Sequence, residues 1–171
     1  MNFFITYGTH DFLKSIYEKY QNKYDIYLLD GGGSSILIVE KEGKSLFQSG
    51  KTYAIEKASG SFERATFAVI NNVPVTQEHK DIFLYEAKIR AEMIEKQPGC
   101  LAVRVLKPIK SDSFIILSMW DSSGDYRRFE NSPEFGLTKP STSGINVPQE
   151  LFTGKAYVKT YSVFREELDN N

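Results

Sequence analysis

The stretch FAVINNVPV, residues 67–75, sets two adjacent asparagines inside a run of β-branched and aromatic residues, a composition that predicts a β-strand. Side chains alternate across a strand, so Asn71 shares one face with Phe67, Val69, Val73 and Val75, and Asn72 shares the other with Ala68, Ile70 and Pro74. One carboxamide therefore looks into apolar surroundings. Without partners, such a group costs about 1–3 kcal/mol to bury, so it must meet backbone, water or a ligand. The plainer alternative is a bulge or strand-end asparagine satisfied by local backbone.

Other reactive side chains are sparse. His10 and His79 each fall at a predicted helix start, where a solvent-facing role suits them better than metal ligation. The single cysteine, Cys100, excludes an intramolecular disulfide and a cysteine-built metal site. It is expected to fill core space. Two histidines and one cysteine give no metal cluster of useful spacing, and no Ser-His-Asp arrangement emerges. Glu78, Asp81 and Glu86 offer an acid pair on a helix but read more simply as its solvated face, and Arg127-Arg128 marks the exposed side of another. Gly31-Gly32-Gly33 lacks the Lys-Ser/Thr pair and helix start of a phosphate loop, so a hairpin connection is expected.

With 171 residues, the chain has room for one core or two small subdomains sharing an interface. Hydrophobic residues make up 41%, charged residues 25%, and the net charge of −1 gives no electrostatic bias toward nucleic acid or anionic membrane. No apolar run approaches the roughly 18 residues of a spanning helix. The opening MNFFITYGTHDF lacks a basic region and a cleavage site, so a cytoplasmic protein is expected. Twelve Phe and 10 Tyr against one Trp suit either an aromatic core or a flat ligand.

The elements that would position these residues come in two sets. NFFITYG reads as a strand, and Thr9 caps a helix whose apolar stripe is Leu13, Ile16, Tyr17 and Tyr20. DIYLLD and SSILIVEKEG follow as strands, KSLFQS as a third, and TYAIEKAS as a short helix ending at Gly60. After it, Thr76 opens a long helix with Ile82, Tyr85, Ile89 and Met93 on one stripe, stopped by Pro98-Gly99. Strands CLAVRVLKPI and FIILSMW, a helix over SSGDYRRFENSPEF, a loop TKPSTSGINVPQELFTG and a final strand AYVKTYSVF complete βαββαβ. This order predicts an α+β, ferredoxin-like domain over residues 61–171, with residues 1–60 as a βαββ segment covering its open face as a second sheet.

TYGTHDFL, FAVINNVPVTQE, EKQPGCLAVRVLKPIKSDSFIILSMWDS and YVKTYSVF resemble the bacillus-type haem-degrading monooxygenase B family. That family lies in the antibiotic-biosynthesis-monooxygenase superfamily, with the TRAP signal transduction proteins as close relatives. The resemblance implies a monomeric pseudo-dimer imitating a dimeric α/β barrel, with one haem between helix and sheet. It also implies oxidative cleavage of that haem with dioxygen and an external reductase. The asparagine of the family falls on Asn71, which would face the haem edge. Its tryptophan position falls on Phe129 and its iron-ligand histidine on Lys139, while Trp120 matches a structural tryptophan at a strand end. A lysine amine must shed a proton held with a pKa near 10.4, costing roughly 4–5 kcal/mol at neutral pH unless burial lowers it. Lys139 would otherwise meet a haem propionate, as would Arg127-Arg128. The alternatives are a non-catalytic TRAP-like regulatory or stress-related protein with a degraded haem pocket, and a cofactor-free monooxygenase acting on an aromatic substrate.

Overall fold

The computed structural model describes residues 1–138 and 156–166. Eight antiparallel strands close into one barrel in the order β1-β3-β2-β8-β5-β7-β6-β4. The strands are β1 (Asn2–Gly8), β2 (Asp25–Asp30), β3 (Ser35–Lys41), β4 (Lys51–Gly60), β5 (Phe67–Pro74), β6 (Cys100–Pro108), β7 (Ser113–Trp120) and β8 (Tyr157–Val163). Helices α1 (His10–Tyr20), α2 (Lys80–Glu95), α3 (Ser123–Glu130) and α4 (Pro133–Thr138) pack outside it.

The barrel contains the same strand order twice. The run β2-β3-β1-β4 repeats as β6-β7-β5-β8, and the last strand of each set, paired on one side with the first strand of its own set, pairs on the other with the facing set, β4 beside β6 and β8 beside β2. The two expected sheets are thus joined edge to edge. The ferredoxin-like reading of the βαββαβ part stands, and the amino-terminal set differs from it by lacking a second helix.

Alternation decides which residues fill the lumen and which meet the helices. Phe3, Ile5, Ile36, Ile38, Ala68, Ile70, Ile115 and Leu117 form the buried lumen, while Val69, Val73, Val105, Ile116 and Trp120 meet Phe83, Ala87, Ala91 and Phe129 outside. On the other side, α1 is capped by Thr9 Oγ1, which accepts from the Phe12 N–H at 3.3 Å. Its Leu13, Ile16, Tyr17 and Tyr20 cover Phe4, Leu28 and Leu37, as their spacing predicts.

Several expectations are corrected. TYAIEKAS is the body of β4, because pairing with β1 and β6 overrides its helical pattern. KSLFQS forms bends rather than a strand. The SSGDYRRFENSPEF helix is two, α3 and α4, broken at Asn131-Ser132 before Pro133, which occupies a first helical position. In α2 the buried side is Phe83, Ala87, Ala91 and Ile94, and Ile82 and Tyr85 are 52% and 67% exposed. Glu86 is also on the buried side rather than a solvated one. The TKPSTSGINVPQELFTG segment lies, from residue 139, outside the described residues.

Candidate functional site

Asn71 and Asn72 do look to opposite sides. Asn71 pairs with Ile116 on β7 and Val158 on β8, and so stands on the outer, helix-bearing face. It is half-buried, and its carboxamide makes no hydrogen bond among the described residues. Beside it, the outward side chains Val158, Thr160 and Ser162 of β8 are exposed, because α2 packs over β6, β7 and β4 instead. Asn71 therefore holds a donor and an acceptor at the border between a helix-covered and an open part of the barrel wall. Asn72 pairs with Ile115 and Tyr157 and faces the lumen.

Phe129 lies in an aromatic cluster on the same outer face. Its ring stacks on Trp120 at 5.5 Å between centroids and meets Phe135 edge-on at 5.3 Å. Tyr126 packs edge-on against both Trp120 and Phe129. The cluster is anchored by Trp120, fully buried at the end of β7, whose Nε1–H donates to Ser118 Oγ at 2.9 Å. Ser122 fixes the approach of α3, its Oγ accepting from the Asp125 N–H at 3.1 Å. Lys139 lies outside the described residues, so the structure brings Asn71 and Phe129 to one face and leaves Lys139 aside.

The remaining sequence candidates separate from this site. His10 Nδ1 sits 2.7 Å from Asp30 Oδ1 at the start of α1, and His79 Nδ1 is 2.7 Å from Thr76 Oγ1 in a 3₁₀ turn before α2. Cys100 packs against the outer core, and burial pushes its thiol up to about 12. Arg127 and Arg128 side chains are exposed, as expected. Among the described residues no group of three or more His, Cys, Asp or Glu could hold a metal, and no helix is long and apolar enough to cross a membrane.

Sequence reasoning missed two polar clusters. The first is Glu86–Arg90, an i,i+4 pair of the kind usually found in solvent, here fully buried under α2 with Arg90 Nη2 3.3 Å from Glu86 Oε1. Arg90 also lies over the Phe83 ring, and burial lowers its guanidinium to about 10. The second is Arg104, whose Nε donates to Glu40 Oε1 at 2.6 Å and whose Nη1 and Nη2 donate to the Ser59 and Gly60 carbonyls. It forms the wall of a pocket of about 370 Å³ at one barrel end, but its donors are spent on Glu40 and on the carbonyls at the end of β4, so its role there is structural. The i,i+4 spacing was a visible signal for the first; only strand register reveals the second.

Residues 66–139 match the family model described as antibiotic biosynthesis monooxygenase. The chain is 28% identical over 130 residues to a haem-degrading monooxygenase of Listeria monocytogenes, covering 76% of this chain and 77% of that one. It is 24% identical over 135 residues to the signal transduction protein TRAP of Staphylococcus epidermidis, covering 79% and 80%. The solved structure of a major regulator of staphylococcal pathogenesis superposes with a TM-score of 0.80, covering 94% of this chain and 98% of that one; at 19% identity this likeness speaks to the fold alone.

Proposed function

We propose that the protein binds haem on the Asn71 face of the barrel and degrades it oxidatively, from the premise that residues 66–139 match the family model described as antibiotic biosynthesis monooxygenase. The observation that carries this reading is the Asn71 carboxamide, half-buried on the helix-bearing face with no hydrogen bond among the described residues. A polar group so placed suits a ligand that brings its own acceptor or donor. The exposed outer strip of β8 beside it leaves a flat apolar ring somewhere to lie, and the edge of the Phe129 cluster, stacked on Trp120 on the same outer face, would be its aromatic side wall. The relative named as haem-degrading supports the same chemistry.

In this reading haem is both substrate and oxidative cofactor, and an external electron donor supplies the reducing equivalents. Asn71 orients the reacting edge by hydrogen bonding, Phe129 limits tilt of the ring, and Lys139 carries its charge to a propionate. A lysine kept protonated binds a carboxylate at no deprotonation cost, whereas binding iron would require losing that proton. The predicted consequence is specific: Asn71→Leu retains haemin binding but slows bleaching of the Soret band under ascorbate by about tenfold or more, the loss expected for one hydrogen bond to a charged group. An unchanged rate would remove Asn71 from the chemistry.

A second reading is favoured by one observation. Phe129 is 5% exposed and its ring is engaged by Trp120, Tyr126 and Phe135, packing that serves a core as well as a pocket wall. A non-catalytic regulator on this fold, as the TRAP relative is named, would use the cluster for stability alone.

A further inference from the structure

The barrel lumen holds a second polar group, on the opposite side of β5 from Asn71. A pocket of about 100 Å³ enters the barrel where β8 parts from β2. Strand β8 pairs with β5 from Ser162 to Tyr157, but with β2 only at Val163 and Ser162. Tyr157–Tyr161 therefore has a strand neighbour on one side only among the described residues. The turn through Gly31 closes on this gap, so tightly that a Cβ on Gly31 would lie 2.8 Å from the Tyr161 ring. Lys159 Nζ donates to Ser34 Oγ at 3.0 Å across it.

The pocket has two chemically distinct ends. Four isoleucines, one each from β1, β3, β5 and β7, line its depth. Tyr7, Tyr157 and Lys159 are exposed and form its outer side, and the buried Asn72 carboxamide lies inside them, next to Ile115. Asn72 is 8% exposed and its carboxamide makes no hydrogen bond among the described residues. Beyond Tyr7 on β4, Tyr53 is fully buried, its hydroxyl beside the Tyr7 phenol. Burial pushes the Tyr7 phenol up to about 12, so it is a donor at neutral pH.

Size narrows the ligand. The pocket's 100 Å³ corresponds to about three waters at roughly 30 Å³ each, far below the roughly 300 Å³ where cofactor-sized pockets begin. No fused ring enters, so the site is separate from any haem site. A cation and neutral donors at one end, with branched aliphatic carbon at the other, select a small amphiphilic anion. We propose that the lumen pocket binds a short-chain aliphatic carboxylate, its carboxylate held by Lys159 and Asn72 and its alkyl tail against the isoleucines.

The test is a ¹H–¹⁵N NMR titration of the intact protein with sodium propionate, with sodium chloride at equal ionic strength as control. Saturable shifts confined to the Asn72 side-chain amide and the facing parts of β1 and β8 are expected, with none from chloride. Lys159 is exposed, so Lys159→Met keeps the fold, and it is expected to weaken propionate about tenfold or more, as loss of a charge-assisted hydrogen bond does. Asn72→Val gives a second, independent weakening. Shifts that grow linearly, that chloride reproduces, or that persist with the same affinity in Lys159→Met would overturn the proposal. Failure of haem binding leaves this titration untouched, so the two readings fail separately.

Discussion

At the scale of single residues, close approach and burial set the most specific expectations. Gly60 ends β4 with φ +73, and a Cβ there would run into the Leu101 carbonyl. Gly60→Ala is expected to cost at least about 2 kcal/mol in urea unfolding, from left-handed backbone strain and the clash together; a cost under half of that would show that the end of β4 can relax away from Leu101. Cys100 is a different case. Its thiol, pushed up to about 12 by burial, stays neutral at pH 8 and should react with iodoacetamide far more slowly in the folded protein than in urea. Of these residue-scale features, the asparagine pair was readable in advance, because strand alternation alone separates Asn71 from Asn72. The Glu86–Arg90 pair was not, because an apolar stripe of Ile82, Tyr85, Ile89 and Met93 pointed α2 the other way. Small residues, Ala87 and Ala91, let α2 approach the sheet closely, and a count of large apolar side chains passes over them.

At the scale of elements, the outer layer depends on a few contacts. Phe129→Ala removes the ring that joins Trp120 to Phe135 and should cost about 3–5 kcal/mol, in line with large-to-small core substitutions. Arg90→Met removes the buried cation beside the Glu86 carboxylate, and a loss of about 3 kcal/mol is expected. The double change Glu86→Leu with Arg90→Met should be less destabilising than Arg90→Met alone; the reverse order would mean that the pair earns its place by stability. The strand β4 shows where element reading stops. TYAIEKAS has helical composition, and only its place between β1 and β6, a non-local fact, makes it extended. α1, by contrast, was readable because its cap and stripe are local.

At the scale of the molecule, the β4–β6 and β8–β2 seams join two similar halves into one closed wall. We propose residues 1–60 and 61–171 as those halves, each incomplete without the other, so neither should give a cooperative unfolding transition when expressed alone. Among the described residues, the Tyr157–Tyr161 part of β8 has a strand neighbour on one side only, while the closed wall gives every strand some pairing on both sides; we propose a monomer, checked by sedimentation equilibrium. The βαββαβ order and the pseudo-dimer were accessible from the sequence, the latter through resemblance; the β4–β6 seam was not, because TYAIEKAS carries a helical pattern and only its partner strands make it extended.

Alkaline stability follows from the same burial. Tyr7 and Tyr126 are each pushed up to about 12 by desolvation, so the folded chain keeps protons that the unfolded chain releases near pH 10. Their contribution is complete below pH 10 and is lost as the pH rises toward 12, and Tm should fall across that window.

The most direct measurement of the central claim is a haemin titration followed in the Soret region, on the native protein and on Phe129→Trp/Lys139→His. The account predicts a saturable one-to-one band in the native protein, bleached on adding ascorbate or a reductase. No saturable band in the native protein, with one gained by the double substitution, would contradict it and leave the barrel as a fold turned to a non-catalytic purpose.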